Sequence, residues 1–362
     1  MLSNLLKIAS ISLTILVLPS LVSAQPSFLV AQVNQLELNN LLLAGNKYVE
    51  SQNYDKALET YAKAADIDDK NSQIFSGIGY VQTLKKNYAE AAKAYQKAVE
   101  LSPEDPKLQY ALGFCLGNLG ENLAAAKAYE KAIALEPDNL QNHLGLGVVL
   151  VRAKEYDRAV KTYEKIIALA PDNQEAYKIA SQILLKQQKY PEAIALLQVA
   201  IQQQPGESDL RLRLADALLD QGNLTAGLEA LELAQKVAPQ NQLIYLQIGN
   251  VLYQQGELDR ALNEYQWATR LKPDDPAAIE GSGLIHLAQK NYYRAIVDFR
   301  RLTELAPTNP VGYHNLGLAL KGRNRDEEAI AALEKALTLY KSNGNQTQAE
   351  QVTALIGKIH GE

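Results

Sequence analysis

The chain has 362 residues and is poor in the residue types that most often carry chemistry. It has one cysteine, Cys115, so no disulfide can form within it. The four histidines, His143, His286, His314 and His360, lie far apart, and no HExxH, paired CxxC, phosphate-cradling glycine loop with lysine, or Gly-x-Ser-x-Gly occurs. These absences point away from an enzyme and from a resident cofactor or metal ion. Positive charge is not in excess either: 36 basic residues stand against 41 acidic ones, a net charge of −5. A phosphate backbone needs a basic stripe, so nucleic acid is not the expected partner.

Only the N-terminus carries a targeting pattern. Met1 to Lys7 holds the one charge found before Gln25, Ile8 to Leu18 is apolar apart from Ser10, Ser12 and Thr14, and Val22-Ser23-Ala24 offers small residues for cleavage. This reads as a secretory signal over 1–24, removed after Ala24. The run stops at Pro19 and falls short of the roughly 20 residues that span a bilayer, so no stable membrane insertion is expected after cleavage. The expected location is periplasmic or secreted. Residues 25–37 show no clear period and read as a linker.

What the chain has in abundance is a beat. Pro103, Pro137, Pro171, Pro205, Pro239, Pro273 and Pro307 fall at one constant spacing without an insertion. Counted from Leu38, the period defines nine units: 38–71, 72–105, 106–139, 140–173, 174–207, 208–241, 242–275, 276–309 and 310–343. Slot 8 of each is small: glycine at 45, 79, 113, 147, 249, 283 and 317, with Ser181 and Ala215 in the other two. Slot 20 is alanine everywhere except Gly227, and slot 27 is alanine except at Ile166 and Leu302. Apolar or small residues at slots 4, 7, 8 and 11, then 20, 24 and 27, have helical spacing on one stripe. Each unit therefore predicts two antiparallel helices, closed by a proline and opened again by a capping Asp or Asn. Glycine at slot 8 is expected to face alanine at slot 20 and to let the two backbones approach, so that Gly147→Leu should overpack the contact. Residues 344–362 carry Ala349, Val352, Leu355, Ile356 and Ile359 on one face and read as a capping helix.

This pattern resembles the tetratricopeptide repeat family, known for a helix-turn-helix unit of the same length with small residues at slots 8, 20 and 27. The resemblance covers Leu38 to Asn343; Asp69 and Lys341 replace the proline of the first and last units, and the fourth-slot tryptophan appears as Phe75, His143, Tyr177, Tyr245 and Tyr313. It implies an all-α fold, a right-handed α-solenoid of nine units, monomeric, binding other proteins or peptides. Within the family, slots 2, 5, 9 and 12 of the first helix line a concave groove that holds peptides. The family's carboxylate clamp is not matched here, since Leu42 stands where its lysine would be, beside Asn46.

Most of the 19 tyrosines recur with the repeat, at slots 17 and 24, and are expected in the core. Tyr80, Tyr110 and Tyr253 do not recur; they fall on the groove stripe together with Phe114. With Leu144 and Val148 they give the groove of units two to four an aromatic, apolar lining suited to anchoring a partner. The same rings could instead pack on neighbours across the array. Further along the groove is polar: Glu175, Lys178, Gln182 and Lys186, then Asp209, Arg213, Asp216 and Asp220, then Gln247, Asn250 and Gln254. The candidate binding residues are thus Tyr80, Tyr110, Phe114, Lys178, Gln182, Asp216, Asn250 and Tyr253. The leading expectation is an exported, non-catalytic interaction scaffold. The alternative is an assembly or metal-delivery factor for a membrane complex, as exported tetratricopeptide proteins of photosynthetic bacteria look similar in layout; Asp209, Asp216, Asp220 and Glu280 would be its residues.

Overall fold

The computed structural model describes residues 26–361, with side chains from Gln32 onward; the expected signal segment lies outside the described residues. These residues form helices joined by tight turns, and no strand occurs among them. The chain divides into two compact bodies, one up to Gly145 and one from Leu146. The first contains α1 (Pro26–Glu50), α2 (Tyr54–Ile67), α3 (Ser72–Leu84), α4 (Tyr88–Leu101), α5 (Pro106–Asn118), α6 (Asn122–Leu135) and the start of α7 (Leu140–Arg152). The second contains the rest of α7 and α8 (Tyr156–Leu169), α9 (Gln174–Lys186), α10 (Tyr190–Gln203), α11 (Ser208–Asp220) and α12 (Leu224–Val237). It continues with α13 (Gln242–Gln254), α14 (Leu258–Leu271), α15 (Pro276–Ala288), α16 (Tyr292–Leu305), α17 (Pro310–Lys321), α18 (Asp326–Ser342) and α19 (Gln346–His360). No helix among the described residues is long and apolar enough to cross a membrane.

The stretch expected as a linker is helical. α1 begins at Pro26, a residue suited to a first turn, and residues 27–50 hold no proline and one glycine, so nothing stops the helix before Glu50. Most first helices start behind an Asn or Asp whose side chain accepts a backbone N–H, among them Asn71, Asp105, Asn173, Asn241, Asp275 and Asn309, whereas α11 follows Glu207, whose side chain makes no such bond. The turn inside every pair has a left-handed residue at the same slot. Glycine supplies it at Gly120, Gly222 and Gly256, and a side-chain-bearing residue at Gln52, Lys86, Lys154, Gln188, Lys290 and Asn324, with φ between 57° and 61°.

Alanine at slots 20 and 27 is fully buried throughout, as the period requires. The partner of the slot 8 glycine is not the expected one. A methyl group on Gly249 would stand 2.8 Å from the Tyr265 ring, one on Gly79 2.9 Å from Tyr95, and one on Gly283 2.8 Å from Phe299. The slot 24 ring fills the space a side chain would need in six repeats; in the ninth, Leu333 does so at Gly317, with the slot 20 backbone carbonyl of Ala329 at 3.2 Å. In three repeats the ring has glycine on its other side as well, from slot 6 of the next repeat. Tyr61 lies between Gly45 and Gly77, Tyr129 between Gly113 and Gly145, and Tyr265 between Gly249 and Gly281. The five slot 17 tyrosines expected in the core are only half-buried.

First helices of neighbouring pairs meet directly, α1 with α3 in the first body and α9 with α11, α13 with α15 and α15 with α17 in the second. Second helices pack on the first helix of their own pair and also on that of the next, as α2 does on α1 and α3. The first-helix side of each body is therefore its inner side. At the end of the chain α19 buries Ala349, Val352 and Ile359 in a cluster with Leu333, Ala336 and Tyr340 of α18.

Candidate functional site

In the first body the inner side presents rings. Phe114 on α5 is 38% exposed, the most open of the three expected anchors, and its ring meets the edge of Tyr88 at 6.2 Å between centroids. Tyr80 on α3 is half-buried against the cluster of Tyr95 and Leu112. Tyr110, one turn before Phe114, stands edge-on to the core ring Tyr129 at 5.5 Å, and burial pushes its hydroxyl above the ordinary tyrosine range. Tyr110 is thus partly a packing residue, as the sequence left open. Leu144 is half-buried in the same body, while Val148, in the second, is exposed.

The second body's inner side is polar and largely satisfied from within. Asp209 accepts from Arg213 Nε at 3.0 Å and pairs with Lys178 Nζ at 3.3 Å. Burial raises its pKa, but the two cations outweigh this and hold the carboxyl below its ordinary value. Asp216 accepts from Gln247 Nε2 at 2.9 Å, and desolvation raises its pKa. Asn250 is not a free contact residue: the Tyr265 hydroxyl donates to its Oδ1 at 2.7 Å, as Tyr61 donates to Asn46. The carboxamide is spent on stabilising a core hydroxyl that would otherwise be buried without a partner. Gln182 and Tyr253 remain exposed, Tyr253 by 36%. The structure brings Lys178 to Asp209, and leaves Gln182, Asn250 and Tyr253 as separate points along the face.

The acidic residues of the alternative reading do not gather. Asp209 is held by its two cations, and Glu280 accepts from Asn309 Nδ2 at 3.4 Å. No group of three or more His, Cys, Asp or Glu placed to hold a metal occurs among the described residues. Cys115 is fully buried, its sulfur 3.4 Å from the Thr83 hydroxyl, and desolvation raises the thiol pKa. It is a small core residue, as expected.

Sequence reasoning missed one polar pair. His286 Nδ1 stands 2.6 Å from Asp298 Oδ2, with His286 only 6% exposed, beside a cavity of about 340 Å³ between α14, α15 and α16. The two residues lie at slots 11 and 23 of one repeat. An ionisable residue at each of two slots that are normally apolar or outward was the available signal.

Helical pairs stacked in register around small residues, with an inner side made of first helices, define an α-helical repeat protein. Three tetratricopeptide repeat models match it, one over residues 42–106 and 246–310, one over 184–240 and one over 312–342. Together they cover more than half of the chain, which belongs to the tetratricopeptide repeat family. A model for anaphase-promoting complex, cyclosome, subunit 3 matches residues 120–200. No curated relative matches. Among solved structures, the C-terminal part of a TPR repeat-containing protein from Cytophaga hutchinsonii is 15% identical, covers 66% of this chain and 98% of its own, and has a TM-score of 0.56. The structure of Naa15/Naa10 bound to HypK-THB is 14% identical over 90% of this chain and 64% of the other, with a TM-score of 0.55. YrrB, described as a TPR protein with an unusual peptide-binding site, is 22% identical over 52% of this chain and 97% of its own, with a TM-score of 0.42. The first two likenesses show the fold. The family is one of protein-interaction scaffolds.

Proposed function

We propose that this chain is an exported, non-catalytic scaffold that holds an extended segment of a partner protein against the inner side of its first body, with Phe114 and Tyr80 as anchors and Tyr110 as their support. The observation that carries it is the placement of Phe114. An aromatic ring on an inner-side slot, more than a third exposed and steadied by an edge contact to Tyr88, offers apolar area at low entropic cost. The inner side of the second body, taken by itself, is polar, and its open members, Gln182 and Tyr253, suit a ligand that is neither strongly acidic nor strongly basic. Export rests on the N-terminal pattern of Lys7, the apolar run and Ala24.

Peptide display against the full chain, counter-selected on Phe114→Ser, tests the binding face. The substitution sits at an exposed position, so the fold should persist by circular dichroism. Peptides that bind the wild type should weaken at least tenfold on the variant, about 1.4 kcal/mol. Equal binding by both would move the site elsewhere. The export reading is checked by N-terminal sequencing of the protein recovered outside the cytoplasm, which should begin at Gln25.

A further inference from the structure

The cavity beside His286 has the composition of a small-molecule site. Its walls come from three successive helices of the second body, with Leu262 and Ile279 as apolar surface and Arg270, Ser282, His286 and Arg301 as polar surface. Its volume, about 340 Å³, is at the lower end of the range for small-ligand pockets. His286 is more than nine-tenths buried, and its Nε2 has no hydrogen-bond partner. Burying such a nitrogen unpaired is costly, and the Nδ1 edge of the ring is already taken by Asp298. Nδ1 faces the Asp298 carboxylate, so Nε2 is the ring nitrogen left to meet an occupant of the cavity. A hydroxyl, which both donates and accepts, can pair with it.

The cations set the other requirement. Arg301 donates to Asp274 Oδ1 and to the Pro273 carbonyl, each at 2.9 Å, which fixes its guanidinium beside the cavity and leaves its charge balanced. Arg270 stacks on the exposed Trp267, 4.6 Å from the ring centroid, and forms no ion pair among the described residues. A stacked guanidinium of this kind is preorganised for a carboxylate.

We propose that this cavity binds a small hydroxycarboxylate, with the carboxylate on Arg270 and the hydroxyl hydrogen-bonded to His286 Nε2. The site is independent of the inner side and of the partner segment proposed for it. Its residues belong to α14, α15 and α16, and the ligand is a free small molecule.

The test uses the full chain with ¹⁵N-labelled histidine, titrated with racemic malate and, separately, with succinate, a dianion of the same length without the hydroxyl. Malate should bind with a millimolar or tighter constant, shift the His286 Nε2 resonance, and bind at least tenfold more tightly than succinate. Arg270→Gln, at an exposed position, should weaken malate binding at least tenfold without altering the His286–Asp298 signal. The proposal is overturned if malate produces no shift at His286 up to about 20 mM. Equal binding of malate and succinate with the His286 resonance unmoved would also overturn it, because that outcome is anion association with surface arginines.

Discussion

Repeats five and six, α9 to α12, and repeats seven and eight, α13 to α16, follow the same period in one body yet solve the same packing problem differently. In the later pair an aromatic ring at slot 24, Tyr265 or Phe299, lies flat on glycine at slot 8, and Gly281 flanks Tyr265 from the other side. In the earlier pair leucine takes slot 24, Leu197 and Leu231, both fully buried, and slot 8 is Ser181 or Ala215. In these four repeats the volume is conserved while its owner changes: where the second helix contributes a ring the first gives up its side chain, and where it contributes leucine the first keeps a Cβ; repeat nine departs from this, with Gly317 against Leu333. Small slots in this array are thus one half of a pair, and a glycine at slot 8 reports on a bulky side chain sixteen positions ahead, a ring in six repeats and Leu333 in the ninth.

The strongest way to break that reading is to remove a ring. Tyr265→Ala should cost about 3–5 kcal/mol in urea unfolding, from the lost ring and the cavity between two glycines that cannot fill it. A cost below about 1 kcal/mol would mean the ring is not the keystone of its repeat. The comparison is sharpened by converting repeat seven into the style of repeat six. Gly249→Ala alone should cost about 1–3 kcal/mol, because its Cβ would meet the ring at 2.8 Å. Combined with Tyr265→Leu, the same substitution should become favourable, giving a coupling of about 1–3 kcal/mol. Additive behaviour of the two changes would separate slot 8 from slot 24. As a control, Gly206→Ala meets nothing within 4 Å and should leave stability within about 0.5 kcal/mol of the wild type.

The ring repeats and the leucine repeats should also part company in alkali. Burial pushes the hydroxyls of Tyr61, Tyr163 and Tyr265 from 10.0 up to about 12. Each folded pKa lies above the unfolded one, so the stability these groups contribute is fully present below pH 10 and is lost as pH rises towards about 12. The urea midpoint should fall across that window. Tyr265→Phe should flatten the fall, since a phenyl ring has no proton to lose, while Leu231→Met should leave its slope unchanged. A fall of equal slope in Tyr265→Phe would assign the alkaline loss to other groups.

The architecture was legible because period and residue size are written in the sequence itself: the alternation of helices, the buried alanines and the terminal helix all follow from them. Pairing across helices is less visible. Glycine has no side chain to announce its neighbour, so the glycines of the eighth slot were matched to the alanines of the twentieth when the main occupant is the bulky side chain of the twenty-fourth. The candidate surface was legible at Phe114, whose slot alone makes it outward-facing. Asn250 and Asp216 occupy the same slot, yet Tyr265 and Gln247 reach across from other helices and engage them, which no single-helix pattern encodes. His286 and Asp298 lie on opposite sides of a turn and became a pair only once the hairpin closed.

The turns carry the smallest and most local prediction. All nine place a left-handed residue at one slot, but three spend a glycine there and six a side-chain-bearing residue, four of them in the second body. A Cβ at positive φ costs roughly 1 kcal/mol, which glycine avoids while losing more backbone entropy on folding. For Lys154 at φ 61° the strain outweighs that entropy, and Lys154→Gly should raise stability by about 0.5 kcal/mol. Gly222→Ala should lower it by about 1 kcal/mol, although nothing within 4 Å obstructs the added methyl group. Opposite signs at the same slot would show that the backbone, and no contact, sets the cost. If both substitutions destabilise, the lysine side chain contributes something beyond the turn, and the shared geometry of the nine turns is not their shared energetics.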